Sequence, residues 1–283
     1  MKNFLNIACF FLVCTPFKGF CQSGSFYEDE NDFKFVTISI GASGFVAGRH
    51  VANYYNGKKD NVNKISYAWR NTQFLDAIKE QLNGRSFEVF ENDLPEKMRY
   101  KMTTAILFRA AINLSPYTSV FLQVNQVNLT AADIFVMTVP NPPNFEPLRI
   151  QCKIWGKEAR TMLDVGFQWR DDMEAQNWQW FYELALNLTN TKVRENYIEI
   201  EGLRQSIMDQ GNYIPGQGFS TIAAPESAFG VGIIGSLGWR YVINSNASFD
   251  FGATAYLQDI NLTGYKKFHT SFNIFARLNL LMF

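Results

Sequence analysis

Cysteine is nearly absent from the part of this chain that can fold. Of four cysteines, Cys9, Cys14 and Cys21 lie in or at the edge of the first apolar run, which leaves Cys152. One thiol forms no intramolecular disulfide and supplies no zinc set. Histidine is scarcer, with only His50 and His269, so neither a metal nor another cofactor is expected. No charge of one sign predominates, since Lys+Arg and Asp+Glu both number 26. Nucleic acid is therefore not an expected partner, because binding it needs a basic excess. Long apolar runs are lacking too. The stretch from Phe4 to Val13, broken by Asn6, is too short for the roughly 20 residues a spanning helix needs.

What is present begins with an export signal. Lys2 precedes the apolar run, and Gly19-Phe20-Cys21 offers small residues at the −3 and −1 positions. Residues 1–21 are expected to be a signal peptide, with the mature chain starting at Gln22. Acylation of Cys21 is disfavoured because Phe20 stands where such signals want a small residue. An exported chain with no spanning helix can still cross a membrane as a closed ring of strands, since closure satisfies every backbone group. Aromatic residues make up 16% of the chain, with 26 Phe, 12 Tyr and 6 Trp, enough to furnish interface girdles.

Strands of that kind alternate apolar and polar residues over about ten positions. Phe229, Val231, Ile233, Leu237, Trp239 and Tyr241 alternate with glycines, Ser236 and Arg240. After Asn244-Ser245-Asn246, Phe249, Phe251, Ala253, Ala255 and Leu257 alternate with Asp250, Thr254 and Gln258. The same pattern predicts ten strands, near 36–43, 104–114, 120–124, 148–154, 163–169, 178–188, 197–201, 229–241, 249–257 and 272–282. Omitting 197–201 and one other leaves an eight-stranded alternative. If the first strand runs outward, short inner turns fall near Ser115, Lys157, Thr191 and Ser245. Outer connections then fall at 47–99, 128–146, 171–176, 202–227 and 260–267.

In this pattern the chain resembles bacterial outer-membrane β-barrel proteins, over most of its mature length. Its signal and aromatic-rich strands are similar to small barrels of Bacteroidota. The resemblance implies an all-β, antiparallel up-and-down barrel over 33–283, preceded by a periplasmic segment at 22–32. It also implies residence in the outer membrane, contact with outer-membrane lipids including lipopolysaccharide, and insertion by barrel assembly machinery. Phe283 is the terminal aromatic such proteins commonly carry, but it is out of phase with the apolar Leu278, Leu280 and Met282.

The predicted inward face carries mixed charge: Arg109, Arg149, Lys153, Asp164, Glu183, Glu199, Arg240, Asp250 and Arg277. Buried charge is costly unless paired, so these residues are expected to form a salt-bridge network in a filled lumen. Asp250 is expected between Arg240 and Arg277. In the first outer loop, Asn71 is expected to cap a short helix bearing Phe74, Leu75, Ile78 and Leu82. Tyr54, Tyr55, Tyr67, Trp69 and Phe74 are candidates for contact with a partner in the outer membrane, or for a self-packed cap. His269 and Ser271 share a strand face and resemble the His-x-Ser pair of lipid A deacylases, but no acidic residue follows to orient the histidine. The function expected is a non-enzymatic barrel that presents loops to a partner. A small-solute channel is the alternative, and a lipid-modifying hydrolase comes third.

Overall fold

The computed structural model describes residues 34–141, 145–171, 177–208 and 226–282. The expected signal peptide, the 22–32 segment, most of loop 202–227 and Phe283 lie outside them. Strands are β1 (Val36–Val46), β2 (Thr103–Asn113), β3 (Thr118–Val139), β4 (Leu148–Arg170), β5 (Trp178–Ile200), β6 (Leu203–Ser206), β7 (Ser227–Asn244), β8 (Ala247–Gln258) and β9 (His269–Met282). They pair antiparallel in the order β4-β3-β2-β1-β9-β8-β7-β5, and β5 pairs back onto β4. Eight strands thus close a ring among the described residues, while β6 only pairs with Tyr197–Ile200 of β5. This is the architecture of an outer-membrane β-barrel, with eight strands rather than ten.

The count fell for a physical reason. The segments 148–154 and 163–169 are one strand, β4, and 178–188 and 197–201 are one strand, β5. The turns expected near Lys157 and Thr191 lie inside those strands. Likewise, β3 continues to Val139, through most of the connection expected at 128–146. The connection from Arg170 to Trp178, expected on the outer side, instead joins the end that holds the short turns after Asn113 and Asn244.

Strand lengths divide the barrel into two levels. At ~3.3 Å per residue and a tilt of about 40°, the eleven-residue β2 rises about 28 Å, close to the roughly 25 Å apolar band of such barrels. By the same arithmetic the 23-residue β4 and β5 rise about 58 Å. The lower level is apolar outside: Ile106, Phe108, Val165, Leu184, Leu186 and Ile274 are exposed, Ile274 at 71%. At the short-turn end Trp169–Tyr182, Trp180–Trp239 and Trp178–Tyr241 form neighbouring ring pairs at 5.2, 4.2 and 4.9 Å. Amphipathic aromatic rings are enriched at such an interface.

In the upper level the polarity inverts. Val127, Leu129, Phe135, Met137, Cys152, Ile154, Ile198 and Ile200 are buried on the inner face of β3, β4 and β5. Arg149 and Lys153 are exposed on the outer face, so they are not lumen residues; Lys153 pairs with Glu199, also outside, at 3.1 Å. In β5 the change of phase is made by a bulge: Lys157 faces Glu195 but Glu158 faces Val193, so Arg194 is the extra residue. A bulge moves every later side chain to the opposite face.

That inner apolar face is covered by the connection between β1 and β2. It contains α1 (Arg49–Ala52), short 3-10 turns and α2 (Thr72–Gln81). The Asn71 side chain accepts from the Phe74 backbone N–H at 3.3 Å, and Asn83 and Gly84 end the helix with positive φ. Phe74, Ile78 and Leu82 are buried and Leu75 half-buried, so the amphipathic stripe packs inward. Among the described residues no helix is long and apolar enough to cross a membrane.

Candidate functional site: the lumen network and the cap latch

Two polar clusters occupy the interior. The lower one begins at the β7–β8 hairpin, whose register sets Arg240 opposite Asp250. Arg240 donates twice, Nε to Oδ1 at 2.7 Å and Nη2 to Oδ2 at 3.0 Å. On the next strand Arg277 lies opposite Asp250 and donates from Nε to Oδ2 at 2.9 Å. Arg277 then crosses the lumen, its Nη2 reaching Glu183 Oε1 of β5 at 2.5 Å. Arg109 of β2 reaches the same oxygen from Nη1 at 2.6 Å, and Gln168 adds a donor at 2.9 Å. Five charged side chains from β2, β5, β7, β8 and β9 thus form one chain across the barrel. Such charge-assisted bonds are the stronger class, and bidentate geometry adds direction.

Asp164 stands beside this chain and forms no ion pair among the described residues. Its carboxylate accepts from Asn187 at 2.5 Å, Asn125 at 2.6 Å and Gln123 at 3.5 Å. Aromatic rings fill the remaining space. The Arg109 guanidinium lies 3.8 Å from the Phe121 centroid, and Arg277 lies between Phe181 and Phe275 at 5.2 and 4.9 Å. Gly41 makes room here, since a Cβ there would collide with Arg277 and the Ala276 carbonyl. An eight-stranded barrel is just wide enough for side chains to fill, and these side chains fill it.

The upper cluster joins the cap to the barrel wall. Glu158, fully buried, accepts from Tyr55 Oη at 2.6 Å, Tyr100 Oη at 2.8 Å and Arg160 Nε at 2.6 Å. The Tyr55 ring lies flat on Gly156, where any Cβ would overlap it. Burial first, then the negative charge of Glu158, pushes the Tyr55 and Tyr100 phenols well above their ordinary range, so both stay protonated donors. Tyr54 adds a bond to Glu226 and is pushed up by burial and that carboxylate. Glu158 and Arg160 were not expected as site residues. They share the inward register of Asp164, but a turn was expected beside them.

The five loop aromatics are therefore part of the cap. Tyr54, Tyr55 and Phe74 are buried and present nothing to a partner. Trp69 is half-buried against Phe74 and Phe87, and Tyr67 is half-buried beneath Arg70 at 4.3 Å. His269 and Ser271 both point inward, but they do not bond to each other. Ser271 Oγ accepts the Gly48 backbone N–H at 3.1 Å, and His269 Nδ1 lies 3.3 Å from the Lys267 carbonyl. No hydrogen bond or ion pair links His269 to a carboxylate among the described residues. Neither is there a group of three metal-ligating His, Cys, Asp or Glu among them.

No family model matches this chain, and no curated protein matches it. Among solved structures it is similar to the Neisserial surface protein A, NspA, at 8% identity and a TM-score of 0.37, covering 87% of this chain and 97% of that one. It is similar to Ail, the attachment invasion locus protein of Yersinia pestis, at 8% identity and 0.34, covering 88% and 98%. The outer membrane protein OprG from Pseudomonas aeruginosa is similar at 10% identity and 0.37, covering 88% and 93%. At such values none of them bears on the role of a residue here.

Proposed function

We propose that this protein is a non-enzymatic outer-membrane barrel whose elongated strands and cap form a rigid platform beyond the bilayer. One observation carries the reading: β4 and β5 are apolar-out and polar-in at the lower level, then mainly polar-out and apolar-in above it, and β3 shares their apolar inner face there. A lipid-facing band needs the first arrangement and a water-surrounded wall needs the second. Short turns in such barrels face the periplasm, which sets the platform on the cell surface. The cross-lumen pairs of Arg109 and Arg277 with Glu183 favour this over a small-solute channel. The use of Ser271 to hold the cap favours it over hydrolase chemistry. Membrane fractionation, with surface labelling of a cysteine introduced at Lys153, tests the reading. Recovery in the outer membrane with labelling on intact cells is expected. Recovery as a soluble periplasmic protein would overturn it.

A further inference from the structure

The outer faces of β4, β5 and β6 above the apolar band carry six basic groups, Arg149, Lys153, Lys157, Lys192, Arg194 and Arg204. Only two acidic groups, Glu195 and Glu199, face the same way. In a chain of zero formal charge this is a concentrated basic patch. Ion pairs engage part of it: Lys153 and Arg204 with Glu199 at 3.1 and 2.7 Å, and Lys157 with Glu195 at 3.0 Å. Lys192 and Arg194 form no ion pair among the described residues, and both are exposed. Arg194 is the bulge residue of β5, and the bulge turns it and Glu195 outward in succession.

Height places this patch. The last outward apolar residue of β5 below it is Leu188, and Lys192 lies four residues on. That is about 13 Å along the strand and about 10 Å of height at the usual tilt. The polar layer on each side of a bilayer is roughly 5–8 Å thick. Asn190 occupies the interval between, with Thr161 of β4 and the exposed Phe229 of β7 opposite it, so the cations stand one step above the last apolar groups, where the charged groups of the surrounding lipid begin. We propose that Lys192, Arg194 and Lys157 form a seat for the phosphate groups of lipopolysaccharide in the outer leaflet. The seat rests on the outer-membrane reading above and adds a partner to it. Guanidinium and ammonium groups bind phosphate through charge-assisted bonds, Arg with directed pairs of donors and Lys as a point charge. Lipid bound at one sector of the barrel would fix the direction in which the platform faces.

The test uses the full mature protein reconstituted in zwitterionic vesicles. Flotation with the vesicles is scored first, and retention of added bisphosphorylated lipid A against its dephosphorylated form second. Wild type is expected to retain the phosphorylated lipid about tenfold better, with the preference shrinking as salt rises from about 0.15 M to about 1 M. Lys192→Gln/Arg194→Gln should float as wild type does and lose the preference. Glu195→Gln, which frees Lys157, should strengthen it. Equal retention of the two lipids by wild type, or an undiminished preference in the double variant, overturns the seat while leaving the membrane reading intact. Failure of wild type to float overturns both.

Discussion

At the scale of single residues, the lumen is governed by the cost of burying charge. Asp250 is fully buried between two guanidinium groups, and a carboxylate in that position holds both. Asp250→Asn would leave Arg240 and Arg277 facing one another without it. Breaking a buried pair in this way typically costs about 3–5 kcal/mol. The urea midpoint of the protein in lipid vesicles should fall accordingly, whereas Asp76→Asn on the exposed face of α2 should leave it unmoved. Ser271 makes a different prediction. Its hydroxyl holds the Gly48 backbone, so Ser271→Ala should loosen the cap by about 1 kcal/mol. Lipid A from cells expressing this variant, analysed by mass spectrometry, should match that from cells expressing wild type. A deacylated species made by wild type and absent with the variant would falsify the structural role.

At the scale of elements, the cap is latched to β4 through Glu158. Glu158→Gln strands the Arg160 guanidinium, which is buried without another carboxylate partner in the described structure. The segment 47–102 should then exchange its amides faster and become sensitive to protease, while the lower strands keep their protection. The latch also sets an alkaline limit. Tyr55 and Tyr100 hold their protons above the ordinary phenol value of about 10 because of burial and the Glu158 charge. A pKa raised on folding contributes stability that is fully present below the unfolded value and is lost as pH climbs beyond it. Cap stability should therefore be level through neutral pH and fall above about 10. Tyrosinate absorbance followed against pH should show these two phenols ionising only as the cap opens. A Tyr55→Phe/Tyr100→Phe variant should lack that component and have a weaker cap throughout.

For the molecule as a whole, the filled lumen predicts poor conduction. Arg109, Arg277 and Glu183 meet across the barrel, with Phe121, Phe181 and Phe275 around them. Purified protein in a planar bilayer should show little steady conductance. Large reproducible openings in wild type would mean that the cross-lumen chain is not the resting arrangement. The long strands matter at this scale too. Among the described residues only β3, β4 and β5 exceed 20 residues, so the wall they build stands on one side of the ring and the cap packs against it.

The sequence by itself determined the barrel, because alternation of period two is a local property. Wherever a strand crosses the apolar band, as at Phe229 to Tyr241 or Ile106 to Ile112, its lipid-facing set can be read from the residues alone. The sequence also carried the hairpin that sets Arg240 opposite Asp250, since a tight turn fixes register nearby. The helix after Asn71 was legible from its cap and stripe. Strand number was not, because alternation says which residues share a face but not which environment that face meets. In β4 the even positions point inward throughout, yet they are apolar at Cys152 and Ile154 and charged at Glu158, Arg160 and Asp164. Read locally, that reversal looks like two strands and a turn. Only the tertiary structure, with the β1–β2 connection folded over the upper wall, makes apolar residues inside and Arg149 and Lys153 outside the favourable arrangement. The same packing buried Tyr54 and Tyr55 and gave Glu158 its three donors, because which faces meet water depends on what the rest of the chain covers.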